Sequence, residues 1–169
     1  MKNQRMLDEL TELMRIDVSS GQETEIAEHL VKKLEQMGFA ITRDEAGATF
    51  GGVCGNILAV REGERDGVVC FCSHMDRVPG GIGIKPVEED GILRSSGDTI
   101  LAADDLSGVA AILEGVRQAI ESGKALPKLE ILFTVGEEAG LYGAKAFDVS
   151  LLTSKTMYVL DSPGRIGRI

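Results

Sequence analysis

The chain has 169 residues, the size of one ordinary domain, and 43% of its residues are hydrophobic while 27% are charged. This balance excludes an intrinsically disordered chain, and the formal net charge of −9 argues against nucleic acid or a membrane surface as the main partner. No apolar run approaches the ~18 residues of a membrane span, and the polar residues 1–10 do not resemble a signal peptide.

Hydrophobic periodicity predicts two helices at the start of the chain. Leucine and methionine residues at helical spacing place the first helix over residues 3–16. The second is expected over residues 21–37, where Ser20 and Glu23 form a capping-box pattern at its start and Gly38 ends it.

Strands and helices then alternate along the chain. Apolar runs bounded by turn residues predict strands at 39–43, 56–60, 68–73, 129–135 and 156–160, a hairpin at 85–89 and 92–94, and helices at 105–121 and 141–147. The Asp90-Gly91 pair is the expected hairpin turn. This alternation predicts an α/β fold of three layers, α/β/α, with a mostly parallel central sheet.

The cysteines also suggest a cellular compartment. Cys70 and Cys72 are two residues apart on a predicted strand, so both sulfurs share one face and are interpreted as small buried hydrophobic groups. With Cys54 the count is odd and lacks a disulfide framework. We therefore expect reduced thiols and a cytoplasmic location.

Clusters of acidic or histidine residues fall where a predicted strand ends or a helix begins. Ligand sites in open α/β sheets form at the carboxyl ends of the strands, so we expect these clusters to meet at one sheet edge. One imidazole with several carboxylates suits Zn²⁺, Mn²⁺ or Co²⁺ better than a thiolate-preferring ion. The clusters are His74 with Asp76, Asp104 with Asp105, Glu137 with Glu138, and Asp161.

Residue chemistry also suggests roles within this cluster. Asp76 can hold the imidazole tautomer of His74, and the Glu137-Glu138 pair offers one metal ligand and one general base. Each cluster has a structural alternative when taken alone: a helix N-cap at 104–105, acidity in a first helical turn at 137–138, a core histidine and a turn at 161–164.

The order and spacing of these residues resemble the amino-terminal part of the M20 metallopeptidases, and within them the peptidase T-like branch. The similar motifs are residues 74–79 (HMDRVP), 97–105 (GDTILAADD), 134–145 (TVGEEAGLYGAK) and 159–161 (VLD). The resemblance implies a zinc-peptidase-like fold that hydrolyses short peptides by metal-activated water, as an aminopeptidase or tripeptidase. Zinc is the expected metal, up to two ions in a complete enzyme, with cobalt or manganese as alternatives.

The resemblance also implies individual roles. His74 and Asp161 would bind one metal, Asp104 would bridge two, and Glu138 would bind the second. Catalytic roles would fall to Glu137, as general base and acid, and to Asp76, which would orient His74. A non-proline cis peptide is expected between Asp104 and Asp105. Two positions depart from the pattern: Leu106 replaces a basic residue, and residues 162–165 (SPGR) replace a glycine-rich run.

Full members of that family are longer than this chain. The resemblance therefore implies that residues 1–169 are the amino-terminal part of a catalytic domain, truncated before the lid domain and the return segment with the last metal-binding histidine. His29, inside the second helix, is expected to be a surface residue rather than a substitute. We expect weak or no activity from this chain alone, and association with a second copy or with the missing half. The alternatives are a non-catalytic metal-binding or assembly module, and an amidase or deacylase on the same scaffold.

Overall fold

The computed structural model describes residues 4–162, and each predicted helix and strand within them is present with slightly shifted ends. The helices are α1 (Gln4–Met14), α2 (Thr24–Gln36), α3 (Ala103–Glu121) and α4 (Tyr142–Ala146). The strands are β1 (Ala40–Arg43), β2 (Ile57–Arg61), β3 (Val68–His74), β4 (Pro86–Glu89), β5 (Ile92–Ser95), β6 (Lys128–Thr134) and β7 (Met157–Val159). The predicted helix start at residue 3 and the predicted departure at residues 163–165 lie outside the described residues.

The central sheet has five strands in the order β1-β2-β6-β3-β7. Strand β2 is antiparallel to both of its neighbours, while β6, β3 and β7 are parallel to one another. All strands except β2 therefore run in the same direction, which confirms the mostly parallel sheet. The parallel part matters for function, because its carboxyl ends open at one edge.

Helices α1, α2 and α3 cover one face of the sheet. Alternate side chains of β6, such as Ile131 and Phe133, point into this larger core with Leu30 and Leu113. Leu132 points to the opposite face, where Phe147 from the segment after α4 covers a smaller core. The result is the predicted three-layer α/β/α arrangement.

Cys70 and Cys72 are buried, and Cys72 belongs to the smaller core. Burial raises the pKa of each thiol to about 12, so both remain protonated at neutral pH. The interpretation of these cysteines as small buried hydrophobic groups is confirmed. Among the residues that the structure describes, no helix has the length and apolar character needed to cross a bilayer.

Strands β4 and β5 form a separate hairpin, as predicted. Asp90 and Gly91 have φ values of 52° and 75°, the left-handed conformation that a two-residue hairpin turn requires at both positions.

The predicted capping box at the start of α2 is wrong. The hydroxyl of Ser20 donates a hydrogen bond to Asp76 Oδ2 at 2.5 Å instead of capping the helix. The carboxylate of Glu23 accepts from the backbone N–H groups of Gly21 and Gly136, not from Ser20. Both side chains point to the carboxyl edge of the sheet, because they form hydrogen bonds with Asp76 and Gly136, which lie far away in sequence.

Candidate metal centre

The parallel strands deliver the predicted side chains to one edge. His74 is the last residue of β3, Glu137 and Glu138 follow β6, and Asp161 follows β7. Asp104 arrives from the start of α3, and its Oδ1 lies 3.1 Å from Nε2 of His74. The convergence expected from the sequence is present.

The ligand atoms form two overlapping groups. His74, Asp104 and Asp161 make one group and His74, Glu137 and Glu138 make the other, with all ligand atoms of a group within 4.8 Å of one another. The resemblance gave the shared position to Asp104, whereas His74 is the residue that the two groups have in common. Every residue predicted as a metal ligand belongs to one of these groups.

Asp76 orients the ring of His74 through its main chain as well as its side chain. Nδ1 of the ring lies 3.0 Å from the main-chain oxygen of Asp76 and 3.4 Å from its Oδ1. A proton on Nδ1 satisfies this bond. Nε2 faces Asp104 and Glu137, so it donates to Asp104 when the ring is charged and has its lone pair free for a cation once that proton is lost. The ring is therefore set to offer Nε2 to a ligand.

Electrostatics at the edge favour positive charge. Burial lowers the pKa of His74, but hydrogen bonds to Asp76 and Asp104 and the charges of Asp76 and Asp161 outweigh it and raise that pKa to about 9. Burial, reinforced by neighbouring carboxylates, raises the pKa of Glu137, Glu138 and Asp161. The carboxylates repel one another and together attract a cation.

No basic side chain compensates this charge within residues 4–162. The ion pairs of Asp104 and Glu137 are with His74 alone, and no lysine or arginine there pairs with Glu138 or Asp161. An imidazole nitrogen and several carboxylate oxygens without a lysine or arginine partner are a donor set that fits a borderline divalent cation such as Zn²⁺.

Asp104 and Asp105 have different functions, although they are adjacent. The peptide bond between them is cis, as the resemblance implied. Asp104 is 72% exposed and faces His74, while Asp105 is buried and accepts hydrogen bonds from Ser73 Oγ and the Gly108 N–H. Burial raises the pKa of Asp105 to about 6. Asp105 thus has the helix N-cap role that was the structural alternative, and Asp104 has the position expected of a metal ligand.

The backbone that carries Glu137 and Glu138 is held by side chains from other parts of the chain. Four successive N–H groups, at residues 135–138, each donate to a side-chain oxygen. These bonds are Val135 to Asn56 Oδ1 at 3.1 Å, Gly136 to Glu23 Oε1 at 3.0 Å, Glu137 to Asp76 Oδ1 at 2.9 Å and Glu138 to Asp76 Oδ2 at 3.1 Å. We call residues 135–138 the base corner. Sequence reasoning missed Asn56 and gave Glu23 the role of a helix cap, because no local pattern reveals partners so distant.

The predicted surface residue His29 is half-buried on α2 and 3.8 Å from Glu12. Its ring groups with Glu9 and Glu12 rather than with the residues of the sheet edge. Leu106, in place of a basic residue, is fully buried in the larger core. An apolar cavity of about 230 Å³ adjoins the centre, and its lining includes Leu132, Phe147 and Met157 together with His74 and Asp161.

Known proteins resemble this chain over its whole length. The family model described as Peptidase family M28 matches residues 56–165. Protein YqjE of Bacillus subtilis is 38% identical over 170 residues, which cover 100% of this chain and 46% of that protein. Two solved structures are also similar. The aminopeptidase PepT of Bacillus cereus is 40% identical with a TM-score of 0.94, covering 98% of this chain and 45% of that one. A Staphylococcus aureus tripeptidase is 34% identical with a TM-score of 0.91, covering 96% and 44%.

These relatives agree with the motifs. The motifs were assigned to M20 and the matching family model is that of M28, and both designate peptidases. The names of the two structures, an aminopeptidase PepT and a tripeptidase, confirm the peptidase T-like resemblance. The chain spans less than half the length of these relatives.

Proposed function

We propose that this chain, which belongs to peptidase family M28, provides the water-activating centre of a metal-dependent peptidase for short peptides. The observation that carries the proposal is the meeting of one histidine and four carboxylates at a sheet edge without a lysine or arginine partner among the described residues. Similarity to an aminopeptidase PepT and a tripeptidase supports the same reaction class.

We assign the residues of the centre to two cation positions. His74, Asp104 and Asp161 would hold one divalent cation. Glu138 would hold a second together with Asp104, which the motif resemblance assigns to both cations. We propose zinc as the metal, with cobalt or manganese as substitutes. When bound, such a cation supplies Lewis-acid polarisation of the peptide carbonyl and makes water more acidic.

Glu137 is the proposed general base and acid. Its side chain is 25% exposed, and burial raises its pKa, so it can accept a proton from water and return it to the leaving amine. Asp76 holds the Glu137 N–H at 2.9 Å and the His74 ring at 3.0 Å, so it positions the proton acceptor and the imidazole together.

The cavity indicates a class of substrate, and the cysteines indicate a cellular location. The apolar cavity beside His74 suits an apolar side chain of a peptide better than a charged group. The three free cysteines support a cytoplasmic location. We also propose that residues 1–169 are the amino-terminal part of a catalytic domain, as the motif order suggests.

Association with further polypeptide, either a second copy or a segment with the remaining ligands, also belongs to the proposal. The exposed Tyr158 and Val159 of the edge strand β7 support it. Light scattering that finds only monomers would contradict association between copies.

The decisive test combines cation binding with turnover. Titration with Zn²⁺ or Co²⁺ is expected to show saturable binding. Tripeptide cleavage by the loaded chain alone is expected to be weak or absent, and to rise when a polypeptide that supplies the remaining ligands is added. Glu137→Gln should keep the cation and lower kcat by about 10²- to 10⁴-fold, because it removes only the proton acceptor. The control is Glu12→Gln, an exposed acid in the helix layer that should change neither quantity.

Binding without turnover on tripeptides, but with turnover on an N-acyl amino acid, would favour the amidase or deacylase alternative. Binding without any turnover, even after a polypeptide with the remaining ligands is added, would favour a metal-binding module. Absence of binding would refute the proposal.

A further inference from the structure

Glu23 is a buried carboxylate outside the motifs that define the centre. It precedes α2 and is 0% exposed, in a chain where most acids lie at the surface. A carboxylate with no contact to solvent needs a specific partner. Its partners identify what it does.

Oε1 of Glu23 joins two distant segments. It accepts the Gly21 N–H at 2.7 Å, within its own loop, and the Gly136 N–H at 3.0 Å, which is 113 residues away. Gly136 is the residue directly before Glu137. The carboxylate therefore fixes the backbone from which the proposed base and the ligand Glu138 project.

The conformation of the base corner requires a glycine at position 136. Gly136 has a φ of +58°, and a Cβ at this position would lie 2.5 Å from Cζ of Phe50. Phe50 in turn stacks on Tyr142 with ring centroids 4.9 Å apart. The aromatic pair occupies the space that a side chain at position 136 would need, and the N–H of Gly136 donates to Glu23.

Glu23 and Asp76 together accept three successive N–H groups of the base corner. Asp76 accepts the N–H groups of Glu137 and Glu138, and Glu23 accepts the one before them. We propose that Glu23 is a positioning residue that sets the aim of Glu137 and Glu138, an inference that rests on the proposed function. Because a displacement of about 1 Å can cost 100-fold in rate, loss of this one acceptor has a measurable effect.

The unused oxygen of Glu23 suggests a selective pair of variants. Oε2 has no hydrogen-bond partner among residues 4–162, so only one acceptor atom is needed. Glu23→Gln keeps that acceptor, whereas Glu23→Met has a similar length and volume and removes it. The two variants thus differ in the hydrogen bond rather than in packing.

Glu130 provides the matched control. It is also 0% exposed, and its carboxylate also holds two backbone N–H groups, those of Thr153 and Ser154, at 2.8 and 3.0 Å. These groups are not part of the base corner. Glu130→Met therefore has a comparable structural cost without touching the base corner.

The first measurement is amide hydrogen exchange of residues 136–138 in the cation-free protein. Glu23→Met is expected to accelerate exchange at Gly136 by about tenfold or more, while Glu23→Gln and Glu130→Met leave it near wild type. If Gly136 is unprotected in the wild-type protein, or if Glu23→Met leaves its exchange unchanged, the inference is overturned. The measurement on the wild-type protein tests the inference even if a variant fails to fold.

The second measurement is the visible spectrum of the Co²⁺-loaded protein and its tripeptide kinetics, the latter with an added polypeptide that supplies the remaining ligands. Glu23→Met should alter the spectrum and lower kcat by about 10- to 100-fold with little change in KM, and Glu23→Gln should restore both. Equal losses in Glu130→Met would reduce Glu23 to a structural role and overturn the inference. A wild-type protein that binds no Co²⁺ would refute the proposed function, while the exchange measurement would still decide the role of Glu23.

Discussion

Two acidic regions of this molecule have the same kinds of residue and opposite electrostatics. The first is the sheet edge with His74, Asp104 and Glu137. The second, which we call the helix network, lies between α1, α2 and α3 and includes Glu9 and Glu114. In the helix network each of these acids meets a base: Lys33 and Arg117 lie 2.6 and 2.9 Å from Glu9, and Arg5 lies 2.8 Å from Glu114.

The comparison shows that composition alone does not identify a metal centre. Glu9, Glu12 and His29 also place ligand atoms within 4.8 Å of one another. There, however, Nζ of Lys33 lies 2.6 and 2.7 Å from the two carboxylates and supplies the positive charge itself. Only the sheet edge leaves its charge to be neutralised by something from outside the described residues.

The pKa shifts record the same contrast. Hydrogen bonding to Arg5 lowers the pKa of Glu114 to about 2. At the sheet edge, burial raises the pKa of Glu137, and the surrounding acids raise the pKa of His74 to about 9. An acid beside a fixed base is held charged, and an acid among other acids is not.

The largest effect on cation affinity is expected from a substitution at the sheet edge. His74→Ala removes the nitrogen common to both ligand groups, so the affinity for Co²⁺ should fall by about 100-fold or more. The matched variant His29→Ala, in the helix network, should leave it unchanged. Calorimetric titration measures both, and a similar loss in the two variants would contradict the distinction.

A smaller effect is expected from removing the internal base of the helix network. Lys33→Met leaves Glu9 buried with one partner fewer, so the free energy of unfolding should fall by about 2 kcal/mol. Urea unfolding measures this change. Co²⁺ affinity should stay at the wild-type value, and any marked loss of affinity would mean that the two regions are coupled.

The smallest effect is a dependence on pH. Because the folded pKa of Glu114 is about 2 and its ordinary value is 4.5, its pairing stabilises the fold fully above pH 4.5 and loses this contribution as the pH falls toward 2. The stability difference between wild type and Arg5→Met should therefore shrink between about pH 5 and pH 2.

The exposed pair of Arg43 and Glu28 supplies the control for that experiment. Arg43→Met should change stability by less than about 0.5 kcal/mol near neutral pH. A stability difference for Arg5→Met that stays constant with pH would show that the Arg5–Glu114 bond does not hold the charge of Glu114.

Periodicity and strand ends predicted much of this molecule, since both are local properties. The apolar run before His74 marked a strand, and the carboxyl-end rule then brought His74, Glu137 and Asp161 together. The reversed direction of β2 had no such signal, because strand direction in a sheet depends on partners rather than on the strand's own residues.

The errors had the same physical origin. Ser20 and Glu23 matched a helix cap in spacing, but the hydrogen bonds of Asp76 and Gly136 offered buried partners that a local pattern does not contain. Asp104 and Asp105 look equivalent in the sequence, and only the packing of α3 against β3 separates an exposed ligand candidate from a buried helix cap.

The bond between Glu23 and Gly136 also bears on how the protein folds. It spans 113 residues, and the bonds from Asp76 to Glu137 and Glu138 span 61 and 62. Contacts this distant form only after long loops have closed, at an entropic cost that local helices do not bear. The base corner is therefore expected to form late, after β6 has joined the sheet and the start of α2 has docked. During synthesis, a nascent chain would acquire the cation position that uses Glu138 only when this last step is complete.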